Sequence, residues 1–170
     1  MVTYLRLAGL LMIALCCTMG GICHGAGYRK RITALERARI LLGTLRHTLG
    51  FTLAPPTVLL EILQNDPMLK DCDYLACAQK KTNKVDFETA WKQAVEQSDE
   101  PFAPPDRKLL TAVGGIIGSS DLETQTGQLK LLSEQLEALL HDARESCEKN
   151  SRLSSTLGAL LGLAIVVILF

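Results

Sequence analysis

The sequence predicts an all-α protein: an antiparallel bundle of about six helices with a transmembrane helix at each end. Three observations carry this expectation. Uncharged apolar stretches occupy the two ends, Leu7 to Cys23 and Leu153 to Phe170, whereas charges recur at close intervals between them. Within that middle region the apolar residues step by threes and fours, the spacing of one face of an α-helix. No alternating run rich in Val or Ile interrupts the pattern, as a half-buried strand would. The expected organisation is an anchor over residues 1–27, a bundle over 28–152 and a second anchor over 153–170.

In the first helical stretch, Tyr28 to Gly50, the residues Leu35, Ala38, Leu42, Leu45 and Leu49 paint a single stripe, and Gly50 is a natural stop. Pro55 and Pro56 suit a helix start, and Val58, Leu59, Ile62 and Leu63 give a second short amphipathic helix before Pro67. A third helix is expected through Leu69, Leu75 and Ala76 to the polar run Lys80, Lys81, Thr82, Asn83 and Lys84. Asp86 can then cap a fourth, in which Phe87, Ala90, Trp91, Ala94 and Val95 share one face. On such a stripe Trp91 is read as core and not as a ligand platform.

Ser98 to Pro105, with its three prolines, reads as a rigid turn region. Leu109, Leu110, Val113, Ile116 and Ile117 form a fifth helix ending at Gly118. Ser120 followed by Glu123 is a capping-box pattern, and Asp121 adds negative charge to the first turn of a sixth helix. There Leu129, Leu132, Leu136, Leu139 and Ala143 make a heptad-like seam, and no Pro or Gly interrupts the chain between Gln128 and Gly158. Leu42, Trp91, Leu129 and Leu136 are the central core candidates.

A spanning helix needs about 20 predominantly apolar residues, and each end reaches that length only by borrowing neighbours: Gly25 to Gly27 at one, Leu153 to Thr156 at the other. The competing reading of the N-terminus is a cleaved leader, with Met1 to Arg6 as its basic region. Against it, the strong positive charge follows the apolar run at Arg29 to Arg31, and no clear small-x-small cleavage site is present. Lys and Arg beside a span are retained on the cytoplasmic side. Arg29, Lys30, Arg31, Arg37 and Arg39 at one end, with Lys149 and Arg152 at the other, therefore place the middle of the chain in the cytoplasm. Gly158 and Gly162, like Gly21 and Gly25, have GxxxG spacing, which permits packing of the two anchors or homo-oligomer formation and selects neither.

Formal net charge is zero, which argues against a nucleic-acid partner. Of six cysteines, Cys16, Cys17 and Cys23 fall in the apolar N-terminal stretch, leaving Cys72, Cys77 and Cys147, an odd number better explained by reduced thiols than by a disulfide framework. His24, His47 and His141 are isolated, and Cys72 with Cys77 is too little for zinc. Gly114, Gly115 and Gly118 lack both the following Lys and the preceding strand of a phosphate loop. No catalytic residue, metal site or cofactor is expected.

Trp91 and Ala94, then Gly118, Ser120, Asp121 and Gln125 in GSSDLETQ, then a Leu-rich charged helix, then Asn150, Leu153, Leu157, Gly158, Leu160 and Gly162 in NSRLSSTLGALLGL resemble the stage III sporulation protein AB family of endospore-forming bacteria. The cysteine-rich first span and the Lys80 to Lys84 segment depart from that pattern. The resemblance implies a cytoplasmic bundle similar to the F-type platform protein of type II secretion systems. It further implies a non-enzymatic role in the mother-cell membrane facing the forespore, with the ATPase of the stage III A assembly and its other membrane components as partners. Two other readings compete: a membrane-tethered scaffold unrelated to sporulation, and a secreted binding protein with a cleaved leader. In an up-and-down bundle, Lys80, Lys81 and Lys84 together with Gly118, Ser120 and Asp121 would sit at the membrane-distal tip and offer a basic docking site for an acidic partner. The plainer alternative is that Ser120 and Asp121 cap a helix while the lysines form a solvated loop.

Overall fold

A computed structural model describes residues 27–50, 55–82, 84–117 and 122–169, with the side chains at 151, 153–155 and 157–169 outside the description. The N-terminal anchor proposed over residues 1–27 falls almost wholly outside the described residues, as does the Gly118 to Asp121 turn. Among the described residues α-helix is the only regular secondary structure, and turns and irregular segments join the helices. The helices are α1 (27–50), α2 (Pro56–Asn65), α3 (Asp73–Thr82), α4 (Phe87–Glu96), α5 (Pro104–Ile117) and α6 (Leu122–Leu169). They divide between a compact unit, Arg31–His141, and a second one to which residues 27–30 and the chain from Asp142 onward belong.

In the compact unit each helix contributes its stripe to one core. From α1 come Ala34, Leu35, Ala38, Leu41, Leu42, Leu45 and Leu49, all buried. α4 starts where the sequence expects: the Asp86 carboxylate accepts the Thr89 backbone N–H at 2.9 Å, satisfying one of the orphan donors of a helix N-terminus. Hydrogen bonding from Thr89, its backbone N–H first and then its side chain, holds the exposed Asp86 carboxyl below its ordinary pKa. Ala90, Trp91, Ala94 and Val95 point inward, while Phe87 is half-buried.

α2 is rotated from its expected orientation. Leu59, Leu60 and Leu63 are buried, whereas Val58 and Ile62 face outward. Five of its ten residues are large and apolar, so periodicity alone does not fix which face turns in. Packing on α3 does: Gln64 Nε2 donates to the Leu75 carbonyl at 3.1 Å and sets the roll of the helix. α3 begins at Asp73, later than Leu69. Asp66 accepts the Met68 backbone N–H and folds the chain after Pro67 into tight turns that bury Leu69 before helix begins. Tyr74, Leu75 and Ala78 form its buried face, and Ala76 is exposed.

Pro104 and Pro105 are the first turn of α5 and not part of the preceding loop, as proline's fixed φ and missing donor allow. In α6 the buried seam is Leu129, Leu132, Leu136, Leu140 and Ala143, with Leu140 where the heptad reading put Leu139. A straight helix repeats every 3.6 residues, so a strict seven-residue pattern drifts about 20° per heptad and the inward position slides one residue later.

Beyond His141 the second unit carries α6 onward. Two exposed i,i+4 pairs, Lys149 with Glu145 and Arg152 with Glu148, each at 2.6 Å, support it there. Gly158, Gly162 and the proposed C-terminal anchor lie on its helical course, and their surroundings are outside the described residues. Among the described residues no helix is long and apolar enough to cross a membrane.

Candidate docking surface and the polar network behind it

Two polar clusters hold the helix ends of the compact unit. In the first, Arg31 of α1 clasps Asp106 of α5 with both prongs of its guanidinium, Nε to Oδ2 at 2.7 Å and Nη2 to Oδ1 at 2.9 Å. Asp106 is fully buried, and its Oδ2 also accepts the Ala103 backbone N–H at 2.8 Å. As the third residue of α5 it supplies the acidic half of a capping box, with negative charge at the positive end of the helix dipole. Arg107, one residue on, closes the far side. Its guanidinium donates to the carbonyls of Val95 and Glu96 at the end of α4, to those of Ser98 and Glu100 in the segment beyond it, and to the Ser98 hydroxyl, tying that segment to α5.

The second cluster surrounds Arg37 of α1. It reaches Asp71 at 3.4 Å and Glu100 at 3.9 Å. Burial pushes the Glu100 carboxyl up; Arg37 opposes that shift, and Asp73 and Asp71 add to it. Behind it, burial raises the Cys72 thiol and raises the Tyr74 phenol well above its ordinary value. Tyr74 Oη is buried without a well-formed hydrogen bond, and the polar group coupled to it is the Cys72 thiol, a weak donor. A buried thiol held protonated is a poor nucleophile. Cys72, Cys77 and Cys147 all stand as free thiols. No group of three or more His, Cys, Asp or Glu residues suited to a metal ion occurs among the described residues.

The core candidates Leu42, Trp91, Leu129 and Leu136 are each completely buried. Of the three lysines, Lys80 and Lys84 are exposed. Lys81 is half-buried and donates to Gln97 Oε1 at 2.6 Å, which ties the end of α3 to the residue after α4. Asp86 and Glu88 follow them closely in the chain and temper the positive field. Glu88 in turn lies against Gly114 and Gly115 of α5. Gly118, Ser120 and Asp121 lie outside the described residues.

Sequence reasoning missed Asp106, Arg107 and the Arg31 contact. The signal for Asp106 was present: Pro-Pro-Asp places an acid at the third position of a proline-started helix. Nothing local, however, pairs it with an arginine 75 positions away.

A family model described as stage III sporulation protein AB matches residues 6–170. The chain belongs to that family. A solved structure titled "Stage III sporulation protein AB (SpoIIIAB)" is similar, with 18% identity and a TM-score of 0.56 over 70% of this chain and 97% of that one. At that identity the likeness is one of fold, and it extends the helical architecture of the stage III sporulation protein AB family to the described residues. Among curated proteins none matches. Family membership ties the chain to sporulation, as the residues around Trp91 and in the GSSDLETQ segment imply.

Proposed function

We propose that this chain is a non-enzymatic membrane component of a secretion-like assembly between mother cell and forespore, and that its compact unit is a platform for the cytoplasmic ATPase of that assembly. The family match over residues 6–170 carries the reading. The apolar ends, Leu7 to Cys23 and Leu153 to Phe170, support membrane attachment, and the flanking basic residues support a cytoplasmic bundle. Arg31, Arg37 and Arg39 serve a second purpose, since they form ion pairs with Asp106, Asp71 and Glu137.

Orientation is tested by thiol labelling. Cys72 is the wrong reporter because it is 3% exposed and its thiol is held protonated, whereas Cys77 is half-buried and free. A variant retaining only Cys77 should react with a membrane-impermeant maleimide after lysis and not in intact cells. Labelling in intact cells would reverse the orientation.

Partner choice is tested by capture of the purified ATPase on the detergent-solubilised full chain. Reversing Lys80, Lys81 and Lys84 to Glu should weaken capture several-fold, and raised salt should weaken the unaltered pair in the same way, since exposed charges are screened within about 8–10 Å. Helical circular dichroism should be unchanged. Full capture by the folded triple variant would remove the lysines from the docking site.

A further inference from the structure

Asp106 and Glu100 both lie largely out of water, their side chains 0% and 12% exposed, and they are compensated very differently. Asp106 receives three hydrogen bonds of 2.7–2.9 Å. The Glu100 carboxylate is met by the Arg37 guanidinium at 3.9 Å, beyond hydrogen-bonding range, and that guanidinium is shared with Asp71 at 3.4 Å. Asp71, in the turn before α3, and Asp73, the first residue of α3, add like charge. Arg107 of α5, the other cation at hand, gives its donors to backbone carbonyls, that of Glu100 among them, and to the Ser98 hydroxyl. Cys72 and Tyr74, behind the cluster, are kept protonated by burial and bring no charge. Three carboxylates therefore face one shared guanidinium, and the most buried of the three has no close donor.

We propose that Glu100 takes up a proton in the folded chain and that this proton tightens the junction of α1 with the start of α3 and the α4–α5 connection, making the compact unit pH-sensitive there. A neutral Glu100 removes one of three like charges and leaves Arg37 to Asp71. An ionised Glu100 restores the repulsion where little water screens it. Burial first, and Asp73 and Asp71 after it, raise the Glu100 pKa above its ordinary 4.5, and Arg37 opposes them. A carboxyl raised in this way stabilises the fold below its unfolded value, and the contribution is lost as pH rises through the folded value. The sensitive window therefore opens near 4.5 and extends upward. The proton acts on the hold of α1, the helix that follows the apolar N-terminal stretch in the chain.

The test follows thermal unfolding of the detergent-solubilised full chain through the fluorescence of Trp91, its single tryptophan, between about pH 4 and pH 8. Glu100→Gln keeps the shape and cannot ionise. It should unfold close to the parent at the acid end and several degrees above it at the upper end. The gap should widen in an Arg37→Gln background, where the guanidinium no longer steadies the ionised carboxylate, and narrow in an Asp71→Asn background. A merely structural role for Glu100 would produce neither change. A gap that is constant with pH, or that neither background moves, overturns the proposal. A parent that gains on Glu100→Gln as pH rises overturns it in favour of a stabilising ion pair with Arg37. Should Glu100→Gln fail to fold, Asp71→Asn, at an exposed position, decides alone: the parent should lose stability with rising pH more steeply than this variant, and an equal dependence overturns the proposal.

Discussion

Asp106→Ala should destabilise the bundle by about 3–5 kcal/mol, the range expected when one member of a buried ion pair is removed. The carboxylate has no solvent exposure, and the helix end it organises depends on all three of its hydrogen bonds, two from Arg31 and one from the Ala103 N–H. Its loss takes away the side-chain acceptor of the Ala103 N–H and the two carboxylate oxygens that hold the Arg31 guanidinium against α5. Arg31 is 23% exposed and regains some hydration, which moves the expectation toward the lower end of the range. Asp106→Asn keeps an oxygen for the cap but loses the charge, so it should fall between the alanine variant and the parent. Urea unfolding of residues 28–150, followed by circular dichroism, measures the series. Paired with Arg31→Ala, it also gives the coupling between the two side chains. An alanine variant within about 0.5 kcal/mol of the parent, the ordinary effect of a surface change, would remove the clasp from the forces holding α1 to α5.

Legibility from the amino-acid sequence differs from helix to helix. α1 and α4 are legible, because each has one apolar stripe, Leu35 to Leu49 in the first and Ala90 to Val95 in the second, and α4 also has a clear start at Asp86 ahead of Phe87. α2 is legible as a helix but not in its rotation. Val58, Leu59, Leu60, Ile62 and Leu63 cover more than half its circumference, and the choice of face is made by α3, a tertiary effect that no window of sequence contains. In α6 the error is one of period, Leu139 for Leu140, which a 3.6-residue repeat counted from Leu129 avoids. The candidate docking surface is legible only as composition. Three lysines mark a basic turn, but the hydrogen bond from Lys81 to Gln97 comes from how α4 packs on α3. Arg31 and Arg37 show the converse. Counted along the chain they are positive charges near an apolar segment; in space they are the partners of Asp106 and of Asp71 and Glu100.

Trp91→Ala should cost about 3–5 kcal/mol, as the truncation of a large buried aromatic does, and Gly114 offers a way to show that the cost arises from packing. Trp91 is completely buried between Tyr74, edge-on at 6.0 Å between ring centroids, and Phe87, nearly parallel at 5.9 Å. Its Nε1 donates to the Leu110 carbonyl at 2.7 Å, so truncation opens a cavity and removes a buried hydrogen bond together. The indole also presses on α5 where Gly114 has no side chain. A methyl group there would meet Trp91 Cδ1 at 3.0 Å, Trp91 Cβ at 3.2 Å and the Glu88 carbonyl oxygen at 3.3 Å. Gly114→Ala alone should therefore destabilise by about 1–3 kcal/mol through overpacking, despite alanine's better helix propensity. With Trp91 already reduced to alanine, the indole contact at Cδ1 disappears and the added methyl enters space the ring has vacated. The contacts with the Cβ of residue 91 and the Glu88 carbonyl oxygen remain, so Gly114→Ala should still cost something in the Trp91→Ala background but less than in the parent, giving a double variant more stable than the two single costs predict. Urea unfolding of the four proteins measures the cycle. Additive costs would mean that Trp91 and Gly114 are not in contact, and the packing of α4 on α5 would have to be redrawn.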